Sequence, residues 1–90
     1  MIAVAFAPTK QSGAMQVVAP GVSPFVWTNN DQDNHVIMLG GGTVNLIEIA
    51  QDGLSFLGTG VLTGMFLLKP GGKLRVTYVV APLFFYVVSF

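Results

Sequence analysis

One histidine, four serines and one short acidic loop hold nearly all the reactive chemistry this chain could offer. His35 follows the loop Asn29-Asn30-Asp31-Gln32-Asp33-Asn34. A catalytic histidine needs a nucleophile and an orienting group within reach. Ser12, Ser23, Ser55 and Ser89 are the hydroxyl candidates, and none sits in the G-x-S-x-G turn that exposes a nucleophilic serine. His35 therefore reads as a structural or surface histidine. The loop has the oxygen density that Ca²⁺ favours, but an EF-hand started at Asn29 needs Gly in sixth place and Glu in twelfth. Asn34 and Gly40 stand there, so the segment reads as a solvated turn in which Asx side chains bond local backbone. Gly40-Gly41-Gly42 lacks the Gly-Lys-Ser/Thr and the following helix of a phosphate cradle. It is expected to be a loop where backbones approach closely. Phe25 and Trp27 fall on one face with Ser23 at period two, and core packing is the expectation over a displayed stacking pair.

No catalytic site, metal site or cofactor is expected from these residues. Composition turns attention to surfaces instead. The chain has 90 residues, 52% apolar and only 9% charged, with no cysteine and a formal net charge of zero. Average soluble domains carry roughly 25% charged residues. A domain of this length buries only about 60–65% of the surface its unfolded chain exposes. Apolar side chains must then remain outside, where contiguous patches mark interfaces. Four basic and four acidic residues give no basic stripe, so nucleic acid is not an expected partner. The apolar stretches at 1–8 and 79–90 are broken by Pro8, Lys10 and Pro82 and fall short of the ~20 residues of a membrane helix. No membrane span is expected. Zero cysteines argue against a disulfide scaffold and leave the compartment open.

Strand composition runs throughout: Val, Ile, Thr and aromatics between recurring Gly and Pro. Turn residues separate runs at 2–7, 14–19, 22–28, 35–39, 43–50, 54–57, 61–68, 73–80 and 83–90. That spacing predicts one all-β domain over residues 1–90, a small antiparallel β-sandwich of immunoglobulin-like or jelly-roll-like form. Leu74, Val76 and Tyr78 alternate with Lys73, Arg75 and Thr77, the cleanest pattern of one dry and one wet face. Ile47 and Ile49 oppose Glu48, and Asp52-Gly53 is expected to close a tight hairpin onto 54–57. The last run is apolar on both faces, with Leu83, Phe85 and Val87 against Phe84, Tyr86, Val88 and Phe90. Such a strand needs cover on both sides, from the core or from another chain. Phe84, Tyr86, Val88 and Phe90 are the expected subunit contact.

Segment 46–82 reads L-I-E-I-A-Q-D-G-L-S-F, a Thr59-Gly60 turn, then G-M-F-L-L-K-P-G-G-K-L-R-V-T-Y-V-V-A-P. Leu68, Pro70-Gly71 and the alternation Leu74, Val76, Tyr78 resemble the turn that carries the chain between sheets in immunoglobulin-like and fibronectin-like sandwiches. Taken whole, the segment resembles small β-sandwich structural proteins of tailed bacteriophages, over about 40% of the chain. The resemblance implies a non-enzymatic virion protein on the capsid exterior or tail. A head decoration (cement) protein is the first expectation and a tail or fibre subunit the second. It also implies self-association, commonly as a homotrimer, with the major capsid protein or other virion proteins as partners. A different class stays open beside it: a module that binds a carbohydrate or receptor through Trp27 and the 29–34 loop.

Overall fold

The computed structural model describes residues 15–89; the run expected at 2–7 and Phe90 lie outside the described residues. Eight strands follow one another: β1 (Met15–Val17), β2 (Phe25–Thr28), β3 (His35–Gly40), β4 (Thr43–Ala50), β5 (Leu57–Gly58), β6 (Gly64–Leu68), β7 (Lys73–Val80) and β8 (Phe84–Ser89). The described residues contain no helix, and every strand pair is antiparallel. The strands form two four-stranded sheets, β1-β8-β3-β6 (sheet I) and β2-β7-β4-β5 (sheet II). Every connection except β4 to β5 passes from one sheet to the other. Eight strands in two sheets with the last strand beside the first make a jelly roll. Of the two sandwich forms expected, this is the one adopted.

The core follows from period-two alternation. Sheet I turns Ile37 and Leu39 of β3, Phe66 and Leu68 of β6, and Phe85 and Val87 of β8 inward. Sheet II answers with Val44 and Ile47 of β4 and Leu74 and Val76 of β7. Phe25, Trp27, Ile49 and Tyr78 pack around this cluster, so the Phe25–Trp27 pair belongs to the core rim. Phe25 meets the Phe85 ring edge-on at 5.8 Å. Each large apolar side chain so buried contributes about 1.5–3 kcal/mol. The Lys69–Gly72 turn carries the chain from sheet I to sheet II, as the Pro70-Gly71 pattern anticipates.

Three local expectations change. Residues 54–57 do not pair directly after Asp52-Gly53, because the Asp52 carboxylate accepts the Leu54 and Ser55 amides and folds six residues into the connection. Only Leu57 and Gly58 reach β4. Strand β6 starts at Gly64 and not at 61, since Thr59 is drawn to the Ile47 carbonyl and holds the preceding residues as a loop. Leu83 does not share the inner face with Phe85 and Val87. It precedes β8 and is 83% exposed, with its amide bonded to the Gly40 carbonyl.

The strand directions gather the loops at two ends. One end holds the 29–34, 51–56 and 69–72 connections, joined where Asn29 exchanges backbone hydrogen bonds with Gly71 and Gly72. The other holds 18–24, 41–42, 59–63 and 81–83. There the glycine run makes the close approach expected of it. Gly42 has φ of 66°, and a Cβ on it would lie 2.1 Å from the Ala81 carbonyl oxygen.

Candidate interaction surface

Residues opposite one another on antiparallel strands share a face. On the outer side of sheet I this rule assembles one row from Met15, Val88, Val36 and Leu67. A second row runs Val17, Tyr86, Met38 and Met65. Phe84 begins a third beside Gly40, with its ring over that glycine and 5.4 Å from the Tyr86 ring. A side chain on Gly40 would strike the Thr63 hydroxyl and the Phe84 ring, so the glycine leaves room for both. Nine side chains on four strands thus form one apolar face without a carboxylate, amine or guanidinium. Val17 is 75% exposed and Met65 69%; Val36, Met38, Tyr86 and Val88, in the centre, are half-buried by their neighbours.

Strand β8 is central in sheet I, with Phe85 and Val87 in the core. Phe84, Tyr86 and Val88 stand on the outer face, where no other described strand covers them, and Phe90 lies outside the described residues. Sequence alone does not reveal that Met15, Val17, Val36, Met38, Met65 and Leu67 join them. In 36–39 both alternating sets are apolar, so the period-two signal carries no direction, and only the strand register aligns the rows.

The outer face of sheet II is built from the opposite material. Arg75 Nε donates to Glu48 Oε1 at 2.8 Å, and the guanidinium lies 4.0 Å over the Phe56 ring. That hydrogen bond holds the Glu48 carboxyl below the usual carboxylate range and raises the Arg75 guanidinium further above its own. Lys73, Thr77 and Thr28 share the face, with Val26, Leu46 and Phe56 among its apolar members, and β7 also exposes Val79 and Val80 at its end.

The remaining polar groups are structural in their geometry. His35 is buried, its Nδ1 accepting the Trp27 indole N–H at 3.2 Å and its Nε2 lying 2.8 Å from Asp31 Oδ2. Since an indole only donates, Nδ1 must be bare and the ring proton sits on Nε2, directed at the carboxylate. Ser89 is the cross-strand partner of His35, yet neither ring nitrogen is left to take its proton. The acidic loop is fastened rather than open. Asn29 is fully buried, donating to the Asp33 and Leu68 carbonyls while its own oxygen accepts the Asp31 amide. Asp52, with the Ser55 and Leu54 amides on its carboxylate, is likewise held below the usual carboxylate range.

At the edge of sheet I, Gln51 stands in for a neighbouring strand. Its Nε2 donates to the Leu67 carbonyl at 2.6 Å and its Oε1 accepts the Lys69 amide at 2.9 Å. This is the pair of bonds an added strand would make there, so the side chain closes that stretch of β6 to strand addition.

The class defined by this geometry is an all-β jelly-roll domain with one polar and one apolar outer face. No family model, curated protein or solved structure matches the chain.

Proposed function

We propose that this chain is a non-enzymatic structural subunit of a tailed-phage virion, a self-associating head decoration protein that bridges neighbouring coat subunits. One observation carries the reading: the segregation of charge. The chain has eight charged residues. Seven fall among the described residues, and all seven lie on the outer face of sheet II or in the loops at one end: Asp31, Asp33, Glu48, Asp52, Lys69, Lys73 and Arg75. Among the described residues, the outer face of sheet I and the loops of the other end carry none. Those loops expose Val22, Val61, Leu62 and Leu83 instead. A free monomer gains nothing from such polarity, whereas a subunit seated between other chains gains the burial of both uncharged regions. In this reading the uncharged end faces the coat protein and the charged end faces solvent. The jelly roll recurs in viral coat proteins and also in lectins. A fold hosts many functions, so the surface carries the argument and not the fold. The sugar- or receptor-binding alternative loses its anchor, because Trp27 packs on the core and its N–H is engaged by His35.

Particles purified on a density gradient from a lysate of the host, analysed by mass spectrometry, test the proposal. The chain is expected in the particle band at a stoichiometry comparable to a coat component. Its presence only in the soluble fraction would overturn the reading. Leu83→Asp, at the uncharged end, is expected to abolish particle binding without unfolding the chain.

A further inference from the structure

We infer that the outer face of sheet I packs against the same face of a second copy of this chain, sheet on sheet about a two-fold axis passing near Met38 and Tyr86. The inference rests on the structural-subunit reading and names the partner of its apolar face.

Three observations converge on that occupant. The first is charge. An uncharged face of this breadth needs an uncharged partner, and sheet II cannot serve, because covering it would strip water from Lys73 and the Arg75–Glu48 pair. Among the faces of this sandwich only the sheet I face matches itself, and a patch that matches itself gives an isologous two-fold contact. A ring of three would need two different complementary patches, so this geometry departs from the homotrimer that the phage resemblance implies.

The second is exposure. Five of the nine, Met15, Val17, Met65, Leu67 and Phe84, are 38–75% exposed, in one contiguous apolar patch of the kind that marks an interaction site. The third is the closed edge. Two copies could also meet by joining β6 to β6 in one continuous sheet. Gln51 occupies the Leu67 carbonyl and the Lys69 amide that such a junction would use. That stretch of the β6 edge is blocked, while the face is left uncovered by the other described residues. Two sheets stacked by their faces lie about 10 Å apart and within about 30° of aligned. The Met38, Met65 and Met15 thioethers are well suited to fill the gaps of such a contact, being unbranched and adaptable.

The chain has no cysteine, so single cysteines report position cleanly. Stacked sheets put Met38 and its copy beyond a disulfide's reach, so a short bismaleimide is the appropriate probe. Met38→Cys is expected to give a covalent dimer in high yield at micromolar concentration. Thr77→Cys, at the corresponding place on sheet II, is expected to remain a single chain. Light scattering of the unmodified protein should give twice the 9.5 kDa chain mass, and Met38→Lys should halve it with an unchanged circular dichroism spectrum. A trimeric mass, or equal cross-linking at both positions, overturns the two-fold contact. A single-chain mass at 100 µM also overturns it, giving the face to the coat protein or to residues 1–14 of the same chain. The two proposals can fail separately. A single chain that still enters particles refutes only the two-fold contact, whereas a dimer that never enters particles refutes only the virion reading.

Discussion

Sheet I and sheet II bury inner faces of the same kind and present outer faces of opposite kinds. Ile37, Leu39, Phe66, Leu68, Phe85 and Val87 meet Val44, Ile47, Leu74 and Val76 across the core, and nothing in those two sets distinguishes one sheet from the other. Outside, sheet II alternates as a solvated antiparallel sheet should, with Arg75 and Glu48 paired beside Lys73 and Thr77. Sheet I carries Val36, Met38, Tyr86 and Val88 where polar residues would be expected. The difference teaches that the inner half of the alternation builds one core from both sheets, whereas the outer half is polar on sheet II and apolar on sheet I.

Adjacent residues of β8 give the sharpest test of that division. Phe85→Ala removes a ring that is 1% exposed and touches Phe25 and Trp27, which is expected to cost about 3–5 kcal/mol. Chemical denaturation should show a large fall in the unfolding midpoint, or no folded protein at all. Tyr86→Lys, one residue along and on the other face, should leave the stability of the dilute chain within about 1 kcal/mol while abolishing self-association. Equal destabilisation by the two variants would break the comparison, because it would make the outer face of sheet I part of the chain's own core.

Asn29 offers the next largest effect, at the charged end. Asn29→Ala strips the donors from the Leu68 and Asp33 carbonyls and the acceptor from the Asp31 amide. Leaving buried polar groups unpaired costs roughly 1–3 kcal/mol. The loss should appear as a lower unfolding midpoint with the oligomeric mass unchanged, since the apolar face lies on another part of the molecule. A change of mass without a change of midpoint would place the 29–34 loop in the subunit contact.

How legible these features were differs residue by residue. Leu74, Val76 and Tyr78 against Lys73, Arg75 and Thr77 announced their sheet faces, because the two sets differ in polarity. The turn at Pro70-Gly71 and the close approach at Gly40 to Gly42 were legible because their residue types leave few alternatives. Phe84, Tyr86 and Val88 were legible as a set and ambiguous in meaning, since both faces of their strand are dry. Met15, Val17, Met65 and Leu67 were not legible as members of a surface. Their grouping depends on pairings between strands as distant in sequence as β1 and β8, and no local pattern encodes that register. The two ring-nitrogen partners of His35 are similarly hidden. Asp31 lies four residues before it and Trp27 eight, across a loop whose course is set by Asn29.

The smallest effects concern solution conditions, and they separate the two outer faces most directly. The Glu48 and Asp52 carboxyls are held below their ordinary values of about 4.3 and 3.9, the first by Arg75 and the second by the Ser55 and Leu54 amides. A carboxyl with a depressed folded value contributes stability that is fully present above its unfolded value and is lost as pH falls through the folded one. The difference in unfolding midpoint between wild type and Glu48→Gln should therefore be constant above about pH 5 and close below pH 4. It should also shrink in 1 M NaCl, because a partly exposed ion pair is partly screened. The sheet I face holds no carboxylate, amine or guanidinium. Its self-association should persist in 1 M NaCl and strengthen in sulfate, which favours apolar burial. Light scattering across the same salt series decides the matter. Dissociation by NaCl would mean that charges hold the copies together, and would move the contact from sheet I to sheet II.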